Sequence, residues 1–234
     1  MRLLQIAVVG MLATIYSFSQ NASPGGSSVP HLADGRPDLN GVWDIPYTPD
    51  MARGVTGGLP FNAAGETAFK TYDPTKFDYT GHCLPAGLTR LVNTPMPMQI
   101  VQGPNNAVLL FEGFASFLVI PTDGREHPKK IEPSWYGNSV GHYEGDALVI
   151  DSIGFNDKTK LDTIGHAHGE KLHVVQRYTR NANDTLTFEI TVDDPQFYEK
   201  PFTNKRTFKL RRDWELMEYS CEENNKDAAE GHIK

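Results

Sequence analysis

The sequence is short of positive charge, of long apolar runs and of cysteine, and each shortage removes a class of protein. Lysine and arginine number 22 against 29 acids, for a net charge of -7. A nucleic-acid backbone or an anionic membrane surface needs a basic face, so neither is an expected partner. The main apolar run, Leu3 to Tyr16, is about 14 residues long, too short as a helix to cross a ~30 Å hydrocarbon core. Also missing are a Gly-x-Ser-x-Gly elbow, a phosphate loop, a dinucleotide fingerprint and a His-Glu-x-x-His pair. Their absence argues against the commonest serine hydrolases, nucleotide enzymes and metalloproteases.

What is there begins at the N terminus. Met1-Arg2, the apolar run and Ser17-Phe18-Ser19 make up the parts of a secretory signal peptide, residues 1–19, with cleavage after Ser19. A buried N-terminal helix is the competing reading. Cleavage would remove one Arg and no acid, moving the net charge from -7 to -8, and leave about 215 residues for one domain. The expected location is periplasmic or secreted, with no membrane insertion of the mature chain. In an oxidising compartment Cys83 and Cys221 read as one disulfide rather than two buried thiols or a catalytic thiolate. Closing a loop of 137 intervening residues would stabilise the fold by ~5 kcal/mol in the chain-entropy model.

Residues 20–38, rich in Ser, Gly, Pro and Asn, read as a flexible leader, and 225–234 as a tail. Between them lie short apolar runs separated by turn residues. Met98 to Gln102 and Ala107 to Glu112 flank Gly103-Pro104-Asn105-Asn106, and a third run ends at Ile120. Ser139–Tyr143 with Ala147–Ile153, and Lys171–Thr179 with Thr185–Val192, make further pairs; Lys205–Leu210 and Trp214–Cys221 complete the set. Leu186, Phe188, Ile190 and Val192 alternate with Thr185, Thr187, Glu189 and Thr191, as in an antiparallel strand with one wet face. With Gly41–Trp43 the count reaches about ten strands, an all-β, mainly antiparallel barrel or sandwich over 39–224. Residues 46–97 are Gly/Pro-rich and poor in strand pattern, with a helix over Asn62 to Tyr72, so they form a loop-and-helix insertion covering one barrel mouth.

Gly41-x-Trp43 followed by a meander and a late basic residue such as Arg211 or Arg212 resembles the signature of the calycin superfamily, the lipocalins and their relatives. The resemblance implies a barrel whose closed end holds the Trp beneath an Arg; the long insertion departs from that family's compact plan. A larger stretch is similar to a family of exported, β-rich bacterial proteins. That similarity is carried by Thr122-Asp123-Gly124-Arg125 with His127-Pro128, Gly137-Asn138-Ser139-Val140-Gly141, Glu144-Gly145-Asp146, Gly154-Phe155-Asn156-Asp157, Gly165-His166-Ala167-His168, Asp193-Asp194-Pro195 and Glu218 to Asn224. It implies a compartment and names no reaction.

The densest chemistry lies in Gly165 to His173. His166, His168 and His173 could present three imidazoles to a divalent transition metal, or sit in a solvated loop with His173 making one structural hydrogen bond. No other cofactor is indicated. On its strand His173 shares a face with Val175, Arg177 and Thr179, and Tyr178 lies on the other face. If the first face lines the lumen, His173 with Arg177, and with Asp151 and Arg90 nearby, supplies a proton donor or acceptor beside cations for an oxyanion. An outer wet face is the alternative. Trp135 and Tyr136, with Tyr178, are candidates to stack on a ring-shaped ligand, or to be core.

Two functions follow. One is a barrel enzyme performing His-centred acid/base chemistry of lyase, isomerase or hydrolase type on a small organic substrate. The other is a lipocalin-type carrier of a small molecule without turnover.

Overall fold

The computed structural model describes residues 28–182, 184–223 and 225. The signal-peptide reading and nearly all of the tail fall outside these residues.

Nine strands form one sheet: β1 (Gly41–Asp44), β2 (Met98–Gln102), β3 (Asn106–Phe111), β4 (Ser116–Pro121), β5 (Asn138–Glu144), β6 (Ala147–Ile153), β7 (His173–Arg180), β8 (Thr185–Asp193) and β9 (Phe202–Leu210). Their order is β4-β3-β2-β1-β9-β8-β7-β6-β5, and every pairing is antiparallel. The sheet curls until its two edges lie side by side, a nearly closed barrel. Because direction alternates at each of eight pairings, β4 and β5 at the two edges run the same way. They are not hydrogen-bonded neighbours in the sheet, and side chains pack the seam instead. A Cβ on Gly141 of β5 would stand 2.9 Å from Ile120 Cγ2 of β4, so the close approach requires glycine there.

Alternation decides the interior. Leu186, Phe188, Ile190 and Val192 of β8 are fully buried, as the sequence pattern required. Phe188 packs against Tyr178 and Phe208, with centroids 4.9 Å away in each case. These rings, with Ile100, Leu109 and Ile150, fill the barrel. One end is stoppered by the 46–97 segment, whose Met51, Leu88, Leu91 and Val92 join the same core. Backbone carbonyls of that segment find donors on β9: Asn204 Nδ2 donates to Met51 O and Arg53 O, and Arg206 Nη1 to Val92 O. The segment contains α1 (Ala63–Thr71), α2 (Pro74–Phe77), a 3₁₀ turn over Tyr79–His82 and α3 (Leu88–Leu91). Among the described residues no helix is long and apolar enough to cross a membrane.

The other end is closed by Trp43, fully buried, whose indole N–H donates to Leu39 O. The guanidinium over its ring is Arg180 of β7, 5.2 Å from the centroid, and neither Arg211 nor Arg212. Arg211 lies over Trp214, and Arg212 pairs with Asp184. The order of the 28–38 stretch also differs from the flexible reading. His31 reaches Asp146, and Arg36 donates to Gly103 O while covering the Tyr143 ring, so this stretch is packed against the barrel. Trp214 to Cys221 forms no strand: β9 already pairs with β1 and β8 and offers no free edge. That segment is held instead by the Cys83–Cys221 disulfide, with Cα atoms 5.6 Å apart.

Arg180 is buried and donates to Asp38 O and Thr185 O while covering Trp43. Arg180→Ala would strand two carbonyls and open the plug, with an expected cost of about 3 kcal/mol in urea unfolding at pH 7. Arg212→Ala, on an exposed pair, should leave the urea midpoint almost unchanged.

Candidate functional site

The strongest concentration of unspent chemistry lies at the stoppered end, between the insertion and the 155–172 loop that joins β6 to β7. Helix α1 begins at Asn62, whose Oδ1 accepts from Gly65 N at 2.9 Å, and carries a Glu66–Lys70 pair one turn apart. Phe69, late in α1, stacks on His166 with centroids 4.6 Å apart, and Phe61 flanks the same imidazole at 5.5 Å. The chain leaves α1 at Tyr72, whose ring fills the space where a Cβ on Gly165 would stand; Gly165 has φ +97°. Only glycine satisfies both demands.

Asp162 fixes the loop against the insertion. Its Oδ2 accepts from Met51 N at 2.7 Å and from His166 Nδ1 at 2.5 Å, and its Oδ1 accepts from the Gly165 and His166 amides. Asp78 does similar work within the insertion. It caps the 3₁₀ turn and takes a bidentate fork from Arg90, at 2.8 and 2.7 Å. Burial opposes its ionisation, but hydrogen bonds from Arg90 and Thr80 outweigh that and hold the carboxyl below its ordinary value. Arg90 also covers the Tyr79 ring at 5.2 Å, and burial pushes the Tyr79 phenol up to about 12.

Above this framework is a cleft of about 520 Å³ lined by Tyr72, Phe77, Tyr79, Lys158 and Lys160, among others. A second hollow of about 330 Å³, lined by Asp157, His168, Glu170 and Gln196 among others, shares Lys160 and Ala68 with the first. Lys160 therefore stands on the ridge between them. Its Nζ lies 5.8 Å from the Tyr72 centroid and has no hydrogen bond or ion pair among the described residues. Burial lowers its pKa, and Asp157 only partly opposes this. Lys158 Nζ lies 5.8 Å above Trp135, whose ring is 6.5 Å from Tyr79. The result is an aromatic wall with two ammonium groups presented along it.

The residues singled out from sequence are dispersed. His173, Val175, Arg177 and Thr179 do share a face, but it is the outer face of the barrel. The inner face carries Val174, Gln176, Tyr178 and Arg180, because large apolar neighbours on β6 and β8 recruit that side. His173 is 40% exposed and bonds Asp151 Oδ2 at 2.8 Å through Nε2. His127, part of a motif in the sequence but not among the candidate site residues, takes the other oxygen of that carboxylate at 2.9 Å. Burial works against Asp151 ionising, yet the two imidazoles hold its pKa below the ordinary value. Arg177 is neutralised by Glu144 at 2.6 Å. Tyr178 is fully buried core, so it does not face a ligand. Of the proposed set, Arg90 and Trp135 line none of the cleft but back residues that do, Arg90 against Tyr79 and Trp135 against Tyr79 and Lys158, whereas Tyr136 turns away to Ser116, 2.7 Å from its hydroxyl.

The three histidines do not meet at one point. His166 is held by Asp162 and two Phe rings, and His173 is on the outer wall. His168 accepts from Thr159 Oγ1 at 2.6 Å through Nε2; its Nδ1 faces Gly169 O, a pure acceptor, and so carries the proton. The His/Cys/Asp/Glu trio that does converge, among the described residues, is Asp50, Asp162 and His166. Asp162 already accepts four hydrogen bonds from its own chain, which occupies the lone pairs a metal would need. With the Asp162 oxygens so occupied, the trio does not suit a transition metal.

Burial drives the His168 pKa from 6.5 down to about 4. The folded value lies below the unfolded one, so His168 contributes stability that is whole above pH 6.5 and is lost as pH falls toward 4. The loss amounts to about 3 kcal/mol. Urea unfolding at pH 7 and pH 4.5 should show a steeper decline for the native chain than for His168→Gln; equal slopes would remove His168 as the source. No family model matches the chain and no curated protein matches it, so the site is read from its own geometry.

Proposed function

We propose that the protein is exported and acts on a small ring-bearing organic anion in the Lys158–Lys160 cleft, using Lys160 for an acid/base step. The supporting observation is Lys160 itself: a partly buried ammonium without an acidic partner among the described residues, poised over the Tyr72 ring between two hollows. A cation left unpaired and partly desolvated is matched by an anionic ligand, and the aromatic wall suits a ring. Its lowered pKa leaves a larger neutral fraction near neutrality than an ordinary lysine has, as a general base needs. Export is supported by the N-terminal sequence pattern and by the disulfide. A lumenal carrier is the weaker reading, because Tyr178, Phe188 and Phe208 fill the barrel. The His173–Asp151 pair lacks a cleft of its own among the cavities described, which is why it ranks below Lys160.

Calorimetric titration with 2-naphthoate should give saturable binding that Lys160→Met and Lys158→Met each weaken about tenfold, with His173→Gln unchanged. Affinity should fall as pH rises through the lowered pKa of Lys160, earlier than an ordinary lysine would allow. Lys160→Arg keeps the charge but cannot act as a base at neutral pH. It should therefore keep binding and abolish turnover of whichever ring carboxylate a substrate screen identifies. Full binding by Lys160→Met would overturn the reading.

A further inference from the structure

The hollow beside the disulfide is built differently from the cationic cleft. It measures about 420 Å³ and is walled by Pro85, Phe114, Phe117, Tyr136, Tyr219 and the Cys83–Cys221 bridge, with no charged residue in its lining. Phe114 and Tyr219 approach at 5.5 Å with tilted rings, one from the turn after β3 and the other from the segment beyond β9 that the disulfide holds. Four non-glycine residues among those described have positive φ, and three of them line this hollow: Cys83 (φ 58°), Phe114 (φ 59°) and Ala115 (φ 44°). Side chains in that region carry a conformational cost, and they persist where surrounding contacts fix them. Phe114, so held, lines the hollow.

The polar groups narrow the ligand further. Ser116 Oγ donates to Phe114 O at 3.1 Å, so its oxygen is free to accept from the Tyr136 hydroxyl at 2.7 Å. The Tyr136 oxygen keeps a lone pair for one incoming O–H or N–H. At the rim, Phe117 is 64% exposed, giving an apolar approach. The bend at Trp135-Tyr136 separates the two sites: Trp135 lies beneath Lys158 while Tyr136 faces the disulfide hollow.

We propose that this hollow is a second binding site, for an uncharged planar aromatic compound bearing one hydroxyl. It does not rest on the role given to Lys160. The full oxidised chain would be titrated at pH 7 with 2-naphthol, read by the fluorescence of the probe, and in parallel with 2-naphthoate. Saturable 2-naphthol binding is expected, weakened about tenfold in both Phe117→Ala and Tyr219→Ala and unchanged in Lys160→Met. Phe117 is exposed and Tyr219 lies outside the barrel strands, so both variants should fold; circular dichroism and the absence of free thiols check this. Naphthoate should show the opposite dependence. The proposal is overturned if 2-naphthol fails to saturate, if both aromatic variants bind it as the native chain does, or if its binding is lost in Lys160→Met.

Discussion

The buried carboxylate of Asp162 is the point on which the functional end of the molecule depends. A fully buried acid is costly unless its oxygens are occupied, and here four donors from three residues occupy them. One of those donors, Met51 N, belongs to the insertion, and the others belong to the β6–β7 loop. The same carboxylate thus ties two segments that are far apart in sequence, and it aligns His166 for stacking on Phe69. Tyr72 then rests on Gly165, and Lys160 lies over Tyr72. The cleft is an outcome of that chain of contacts.

The barrel imposes a second constraint. A ring of nine strands cannot be antiparallel throughout, so one seam must bring like-directed strands together. Here the unpaired seam falls between β4 and β5, where side-chain packing replaces the ladder. The disulfide hollow opens beside the start of β4, and Phe117 and Val119 on that strand are exposed because, among the described residues, no further strand or helix covers their face. The Cys83–Cys221 bond brings the last described segment across to wall the hollow with Tyr219.

Most polar chemistry in the lumen closes an end, the bond from Gln176 to the Tyr178 hydroxyl being an exception. Asn204 and Arg206 serve carbonyls of the insertion, and Arg180 serves those beside Trp43. The remaining charged groups of β5 to β7 and His127 of the loop before β5 satisfy one another on the outer wall: His127 and His173 with Asp151, and His142 and Arg177 with Glu144. Such pairs orient groups but leave little unspent. Lys160 differs in having no such partner among the described residues.

The alternation of β8, the hairpin turns, the Asn62 cap and the pairing of two cysteines are local or combinatorial properties, and the sequence by itself determined them. It also determined that His173 and Arg177 share a face, since a strand alternates with period two. Which face is inside was decided by tertiary structure, because both faces of β7 mix polar and apolar residues and only the neighbouring strands break the tie. Trp214 to Cys221 has strand composition yet forms no strand, since β9 has no edge left to pair. Lys158 and Lys160 look like ordinary surface lysines in sequence. Their surroundings come from an insertion some eighty residues earlier, and burial beside aromatic rings is a property of that meeting, not of the residues alone.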